Sequence, residues 1–329
     1  MSHQTSTELS LQLFQEMLRI RMIEEAIANK YPEEKMRCPV HLSIGQEAVA
    51  VGVCQTMLKT DYLISNHRAH AHYLAKGGSL KRMIAEIYGK VDGCSLGRGG
   101  SMHLIDLEAG IIGTTPIVGG SLPVGVGVAF ASAMKGENKA TVIFFGEAAT
   151  EEGVWAESIN FAALKKLPIL FVCENNLYSV YSPLSVRQPP ERSRAEIVRA
   201  HGIFALQGYG NDVEEVFDIT RQAMLKIREN KGPCFVEFDT YRYREHCGPN
   251  VDDSAGYRPK EEVDYWHARC PLKTHEQRLR EQSLLNDASL AGMKREITQE
   301  IEEAFAFAEK SSFPIYNPNE PIYALPEGS

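Results

Sequence analysis

Two short loops carry the residues best suited to chemistry. Residues 146–153, Gly-Glu-Ala-Ala-Thr-Glu-Glu-Gly, follow an apolar run at 140–145, and residues 174–179, Glu-Asn-Asn-Leu-Tyr-Ser, follow another at 167–173. Together they offer the carboxylate of Glu147, the side-chain carbonyl of Asn176 and the backbone oxygen of Tyr178. That is a hard oxygen set of the kind Mg2+ takes, at about 2.0–2.1 Å, when it also holds phosphate oxygens. Ala148 and Ala149 are small enough to let a phosphate approach main-chain N–H groups at a helix start. A plainer reading competes: Glu147, with Glu151 and Glu152, suits the N-terminal dipole of the next helix and could simply cap it. Asn175 has the character of an Asx-turn residue supporting its neighbour.

These loops need elements to position them. The two apolar runs predict strands, and the segment between them predicts a helix over 154–165, giving a β-α-β unit whose strands run parallel with their carboxyl ends side by side. Ligands of open parallel sheets bind at those ends. A further strand at 234–238 delivers residues 240–246 to the same level, and Tyr241, Arg242 and Tyr243 alternate as a strand would. Segment 43–90 reads as helical with a break at Gly77-Gly78. Segment 89–127 is dense in glycine. Its first part, with Arg98, Ser101 and His103, has the character of a ligand loop. After Pro123, small residues from Gly125 to Ala133 predict a helix buried by close packing. Apolar residues stepping by three or four predict an N-terminal helix over about 8–29 and a C-terminal helical region from about 273, ending in a proline-containing tail that lies on a neighbour or stays mobile. The expected fold class is α/β, a mostly parallel central sheet flanked by helices, with 1–329 as one domain.

Bulk properties narrow the function. At 329 residues, 43% apolar and 24% charged, the composition is that of an ordinary globular protein, and no apolar run is long enough to span a bilayer. The first residues lack the basic and apolar stretches of a secretory signal, so a cytoplasmic protein is expected. Seven scattered cysteines with no CxxC pair imply reduced thiols rather than a zinc site or disulfide framework. A net charge of -8 gives no basic field for nucleic acid. An acidic chain binds an anionic cofactor only through local donors and a metal.

A set of segments in fixed order identifies a likeness: SIGQEAVAVG at 43–52, HRAH at 67–70, GRGGSMH at 97–103, IVGGSLPVGVGVA at 117–129, NFAALKKLPILFVCENNLYS at 160–179 and TYRYREH at 240–246. With them, Gly146-Glu147-Ala148 and Asn175-Asn176 stand where thiamine diphosphate enzymes carry Gly-Asp-Gly and Asn-Asn. Over nearly its whole length the chain resembles the α subunit of the first component of thiamine diphosphate-dependent 2-oxo acid dehydrogenases, the family of pyruvate dehydrogenase. The resemblance implies the thiamine diphosphate-binding fold, with Mg2+ ligated by Glu147, Asn176 and the Tyr178 carbonyl. It implies that Arg68 grips the diphosphate, with His67 in a place usually held by tyrosine, and that the backbone around Pro116 and Val118 meets the aminopyrimidine ring. It makes His103 and His246 the active-site histidines, contacting cofactor phosphate, substrate carboxylate or developing charge. His41, His70, His72 and His201 are expected to be ordinary hydrogen-bonding residues.

Three departures stand out: Glu147 for the family's aspartate, Ala148 for its second glycine, and Cys247 where some relatives carry a phosphorylated serine. The implied activity is oxidative decarboxylation of pyruvate or a related 2-oxo acid, with acyl transfer to lipoyl on an acyltransferase second component. In two-chain members of the family the glutamate that activates the cofactor belongs to a β subunit, which neither half of this chain resembles. An α2β2 assembly with sites at the α/β interface is therefore expected. Two alternatives remain: an acetoin-cleaving or carbon-carbon ligating subunit using the same cofactor, and a non-catalytic scaffold whose metal site is weakened by Glu147 and Ala148.

Overall fold

A computed structural model describes residues 6–315. The tail expected on a neighbour or mobile lies almost wholly outside the described residues. The strands are β1 (Tyr62–Ser65), β2 (Ile111–Thr114), β3 (Thr141–Gly146), β4 (Ile169–Asn175), β5 (Tyr178–Ser179), β6 (Ser182–Pro183), β7 (Phe204–Tyr209) and β8 (Cys234–Asp239). Six of them form one sheet in the order β2-β1-β3-β4-β8-β7, with every neighbouring pair parallel, while β5 and β6 make a separate antiparallel hairpin. The helix Gly153–Lys165 is the crossover between β3 and β4.

Continuous apolar strands are what a parallel sheet covered on both faces requires. Side chains alternate between two cores: Val142, Phe144, Leu170 and Val172 enter one, and Ile143, Phe145, Ile169 and Phe171 enter the other. The terminal helices, Thr7–Lys30 and Asp287–Lys310, press their apolar stripes into the first core, through residues such as Leu13, Met17, Ile20, Ile297 and Phe305.

The structure corrects several expectations. Segment 43–90 is not helical throughout: β1 interrupts it between the helices Glu47–Cys54 and His70–Ala75, and pairs with both β2 and β3. Four residues are too few to show a period, so only its place in the sheet reveals it. Tyr241, Arg242 and Tyr243 do not continue β8. The ladder ends at Asp239, and all three side chains are buried, with the Tyr241 hydroxyl donating to Glu262 at 2.9 Å and the Tyr243 hydroxyl to the Trp266 carbonyl at 3.0 Å. The small-residue helix, Ser121–Met134, is buried on one face only. A Cβ on Gly125 would lie 2.4 Å from Ile143 Cδ1, so that face approaches β3 as closely as backbone can. Val124, Gly127, Ala131 and Met134, one turn apart on the other face, are exposed.

Because all six strands of the main sheet run the same way, their carboxyl ends share one edge. β1 leads into His67 and Arg68, β2 into Pro116 and Val118, β3 into Glu147, β4 into Asn176, and β8 towards His246.

Candidate functional site

A cavity with about 870 Å³ of empty volume lies along that edge. Its wall includes His67, Arg68, Pro116, Val118, Glu147, Ala148, Ala149, Asn176, Tyr178 and His246, so ten of the eleven residues singled out in the sequence meet in one place. His103 does not: it is exposed, outside the cavity wall, with ring Nδ1 2.9 Å from the Gly99 carbonyl.

One side of the cavity is an oxygen side. Glu147 opens a 3-10 turn, Glu147–Glu151, and its side chain caps no helix. Instead its carboxylate, 1% exposed, pairs with Arg187 at 2.5 Å. Burial raises its pKa and the Arg187 guanidinium opposes that rise. Ala148 does not adopt a positive φ, so a Cβ is accommodated there without backbone strain. Asn176 is held from both ends of its amide: Nδ2 donates to Gln46 Oε1 at 3.2 Å, and Oδ1 accepts the Tyr178 N–H at 3.2 Å, keeping a second lone pair. Asn175 forms the Asx turn read from the sequence, its Oδ1 accepting the Leu177 N–H at 3.3 Å.

The other side is a nitrogen side. Arg68 is buried and donates to the Leu42 carbonyl at 2.7 Å and to the His246 carbonyl at 3.2 Å. Among the described residues no carboxylate forms a salt bridge with it, and burial together with Arg242 pulls its pKa down to about 9. His41, His67 and His246 pack edge to face around it, with centroids 4.7, 5.1 and 5.2 Å apart. Burial, reinforced by the Arg68 charge, depresses their pKa values to about 3, 2 and 3. All three are neutral imidazoles at ordinary pH. Their ring nitrogens come within 4.8 Å of one another, close enough to consider a metal. Arg68 argues against one: its Nη2 donates to His246 Nδ1 at 3.4 Å, which leaves the hydrogen on Nε2, and the arginine repels a cation. A buried arginine without a counter-ion, beside imidazole donors, suits an anion.

His41 corrects a default reading. Expected to be an ordinary hydrogen-bonding residue, it is in the cavity wall, 7% exposed, with Nδ1 lacking a hydrogen-bond partner. A bridge between His41 and Gly248 places it beside the His246 loop. The one available signal was its position two residues before the SIGQEAVAVG segment. Gln46 and Asn66 were missed in the same way. His70 and His72 do behave as ordinary hydrogen-bonding residues, with Ser101 Oγ at 2.7 Å and Ser65 Oγ at 2.8 Å.

The glycine loop that reads as a ligand loop has a different occupant. Glu86 Oε2 accepts the N–H groups of Ser95 and Gly97 at 2.7 and 2.8 Å, and Oε1 accepts those of Gly99 and Gly100 at 2.7 and 3.0 Å. Gly97 and Gly100 reach this wrap with φ of 74° and 62°. The loop folds around the protein's own carboxylate, so these amides have nothing left for a phosphate.

The cavity's donors fit a metal-bound diphosphate: hard oxygens at Glu147 and Asn176 for Mg2+, and Arg68 with imidazole N–H groups for phosphate. The family model described as dehydrogenase E1 component matches residues 15–316. The chain is 36% identical over 301 residues to a pyruvate dehydrogenase E1 component subunit alpha of Rickettsia bellii, covering 92% of this chain and 91% of the relative. It is 36% identical to the chloroplastic subunit alpha-3 of Arabidopsis thaliana, covering 93% of this chain and 72% of the relative. It is also 33% identical to the alpha subunit of an acetoin:2,6-dichlorophenolindophenol oxidoreductase of Bacillus subtilis, covering 93% and 91%.

Proposed function

The chain belongs to the dehydrogenase E1 component family, and from that premise we propose that it is the α subunit of a thiamine diphosphate-dependent 2-oxo acid dehydrogenase acting with a β subunit. The observation that carries this reading is the meeting of an oxygen side and a nitrogen side in one cavity at the carboxyl edge of a parallel sheet. Glu147, the side chain of Asn176 and the Tyr178 carbonyl hold Mg2+. Arg68, His67 and His246 grip the diphosphate, with Ala148 and Ala149 leaving it room, and His41 completes the imidazole corner. The backbone at Pro116 and Val118 receives the aminopyrimidine ring.

When bound, the cofactor supplies the electron sink for decarboxylation. The chain orients it, keeps water out and places neutral N–H donors against developing negative charge. His246, with its hydrogen on Nε2, has one N–H to offer, to cofactor phosphate or to substrate carboxylate. His103 lies on an exposed loop and reaches the reaction only where a partner chain covers that loop.

The substrate is pyruvate or a related 2-oxo acid, and the acyl group passes to lipoyl on a second component. The assembly is α2β2, in the cytoplasm. Among the described residues no helix is long and apolar enough to cross a membrane. The apolar stripe of the Ser121–Met134 helix, continued by exposed Leu164 and Phe161, supports a protein partner. The test is turnover of the co-purified α/β complex with thiamine diphosphate, Mg2+ and a lipoylated acceptor. CO2 release and lipoyl acylation are expected only with both chains; full turnover by this chain alone overturns the two-subunit reading. The acetoin-linked relative favours one second reading, cleavage of acetoin with the same cofactor. Turnover with acetoin and none with 2-oxo acids selects it, and absence of saturable cofactor binding by the complex would reduce the chain to a scaffold.

A further inference from the structure

Glu147 is one methylene longer than the aspartate its place implies, so one more torsion must be fixed before it can serve a metal that demands near-ideal geometry. A second residue fixes it. Arg187, at the end of the short helix Leu184–Arg187, donates from Nη2 to Glu147 Oε1 at 2.5 Å, pairs through Nη1 with Glu151, and donates from Nε to the Ser182 carbonyl at 3.1 Å. Its neighbours hold the same turn: Gln188 Nε2 donates to Glu151 at 2.7 Å, and Arg192 donates to the Thr150 hydroxyl at 2.9 Å and its carbonyl at 2.5 Å. Thr150 Oγ1 in turn donates to the Glu147 carbonyl at 2.7 Å. Residues 187–192 thus clasp the Glu147–Glu151 turn.

Glu147 borders the cavity; Arg187 does not. The arginine therefore bears on the cavity through the carboxylate it holds. A planar fork fastened at three nitrogens sets direction as well as charge, which a lysine cannot do. We infer that Arg187 is a positioning residue, holding the longer Glu147 side chain where it ligates the divalent cation bound with the cofactor. The inference rests on the proposed role of Glu147 as a metal ligand.

The test is titration of the α/β complex, saturated with thiamine diphosphate, with Mn2+ followed by electron paramagnetic resonance. Arg187→Gln is expected to weaken Mn2+ binding by about 10–100-fold, the usual cost of losing a residue that orients a ligand. Arg187→Lys restores only part of it. In a Glu147→Asp background, where the shorter carboxylate needs no clasp, Arg187→Gln costs far less. If the glutamine variant does not assemble, the lysine variant and the aspartate background carry the test. Unchanged or tighter Mn2+ binding in Arg187→Gln, with binding weakened in Glu147→Gln, overturns the inference while leaving Glu147 a ligand. Full restoration by lysine also overturns it, reducing the role to charge neutralisation. Unchanged binding in Glu147→Gln removes the ligand reading itself, and the inference with it.

Discussion

Two loops of this chain look alike in sequence and end up as opposites. The glycine loop at 93–100 and the turn Glu147–Glu151 both combine small residues with backbone amides that could meet an anion. The first closes over Glu86, an anion supplied by the chain. The second opens on the cavity and is clasped from behind by Arg187 and Arg192. A glycine-rich loop therefore shows that backbone must come close to something, without saying whether that something is a ligand or a side chain. What separates the two is Glu86, on the helix Leu80–Ile87 that leads into the glycine loop.

The comparison breaks most readily at Glu86. Glu86→Ala leaves four partly buried N–H donors without their acceptor, and at about 0.5 kcal/mol or more for each the loss is on the order of 2 kcal/mol. Chemical denaturation of the assembled protein measures it, and a loss below about 1 kcal/mol would mean that water or another side chain fills the loop. Glu147→Ala should act on the ligand instead. It is expected to weaken Mg2+-dependent cofactor binding by tenfold or more, about 1.4 kcal/mol, read by calorimetry.

The imidazole corner adds a pH dependence. His41, His67 and His246 have folded pKa values near 3, 2 and 3, below the unfolded value near 6.5. Above pH 6.5 both states hold these rings neutral and their contribution is intact; as pH falls below 6.5 the unfolded state takes up protons that the folded state refuses. Each ring then removes about 1.4 kcal/mol of stability per pH unit until its folded pKa is reached. Replacing His67 with Phe should flatten the fall in stability between pH 6 and pH 4 by about one proton's worth, as followed by denaturation at several pH values. An unaltered slope would show that other groups dominate acid unfolding. The smallest expected effect is at the turn itself: Ala148→Gly should cost roughly 0.5–1 kcal/mol and gain no cofactor affinity, since the backbone there has no use for glycine's freedom. A gain in affinity measured by calorimetry would show that the Cβ crowds the phosphate after all.

Much of this arrangement was legible in the residues. The β3–helix–β4 unit is local, strongly apolar and bounded by polar loops, so its ends could be placed to within a residue or two. The ten cavity residues were indicated partly by the two polar loops and otherwise by the family resemblance, and they meet after strands that share one direction. The rest depends on pairings between elements that no local pattern marks. β1 has four residues and no visible period. His41 reaches the cavity through a bridge to Gly248, and Glu86 belongs to a helix with no mark of the loop it anchors. Arg187 meets Glu147 from beyond a hairpin that follows the metal-side loop, a partner no spacing rule selects. His103 went the other way, with a strong motif and an exposed position.

The exposed stripe of the Ser121–Met134 helix has a consequence for how the protein must be made. Val124, Gly127, Ala131 and Met134 give a side without charge or bulky polar groups, flat enough for another backbone to come near. Water solvates such a strip poorly, and each Å² left uncovered forgoes roughly 25 cal/mol. Copies synthesised in excess of their companion chain would be the ones to clump or to be cleared by proteases.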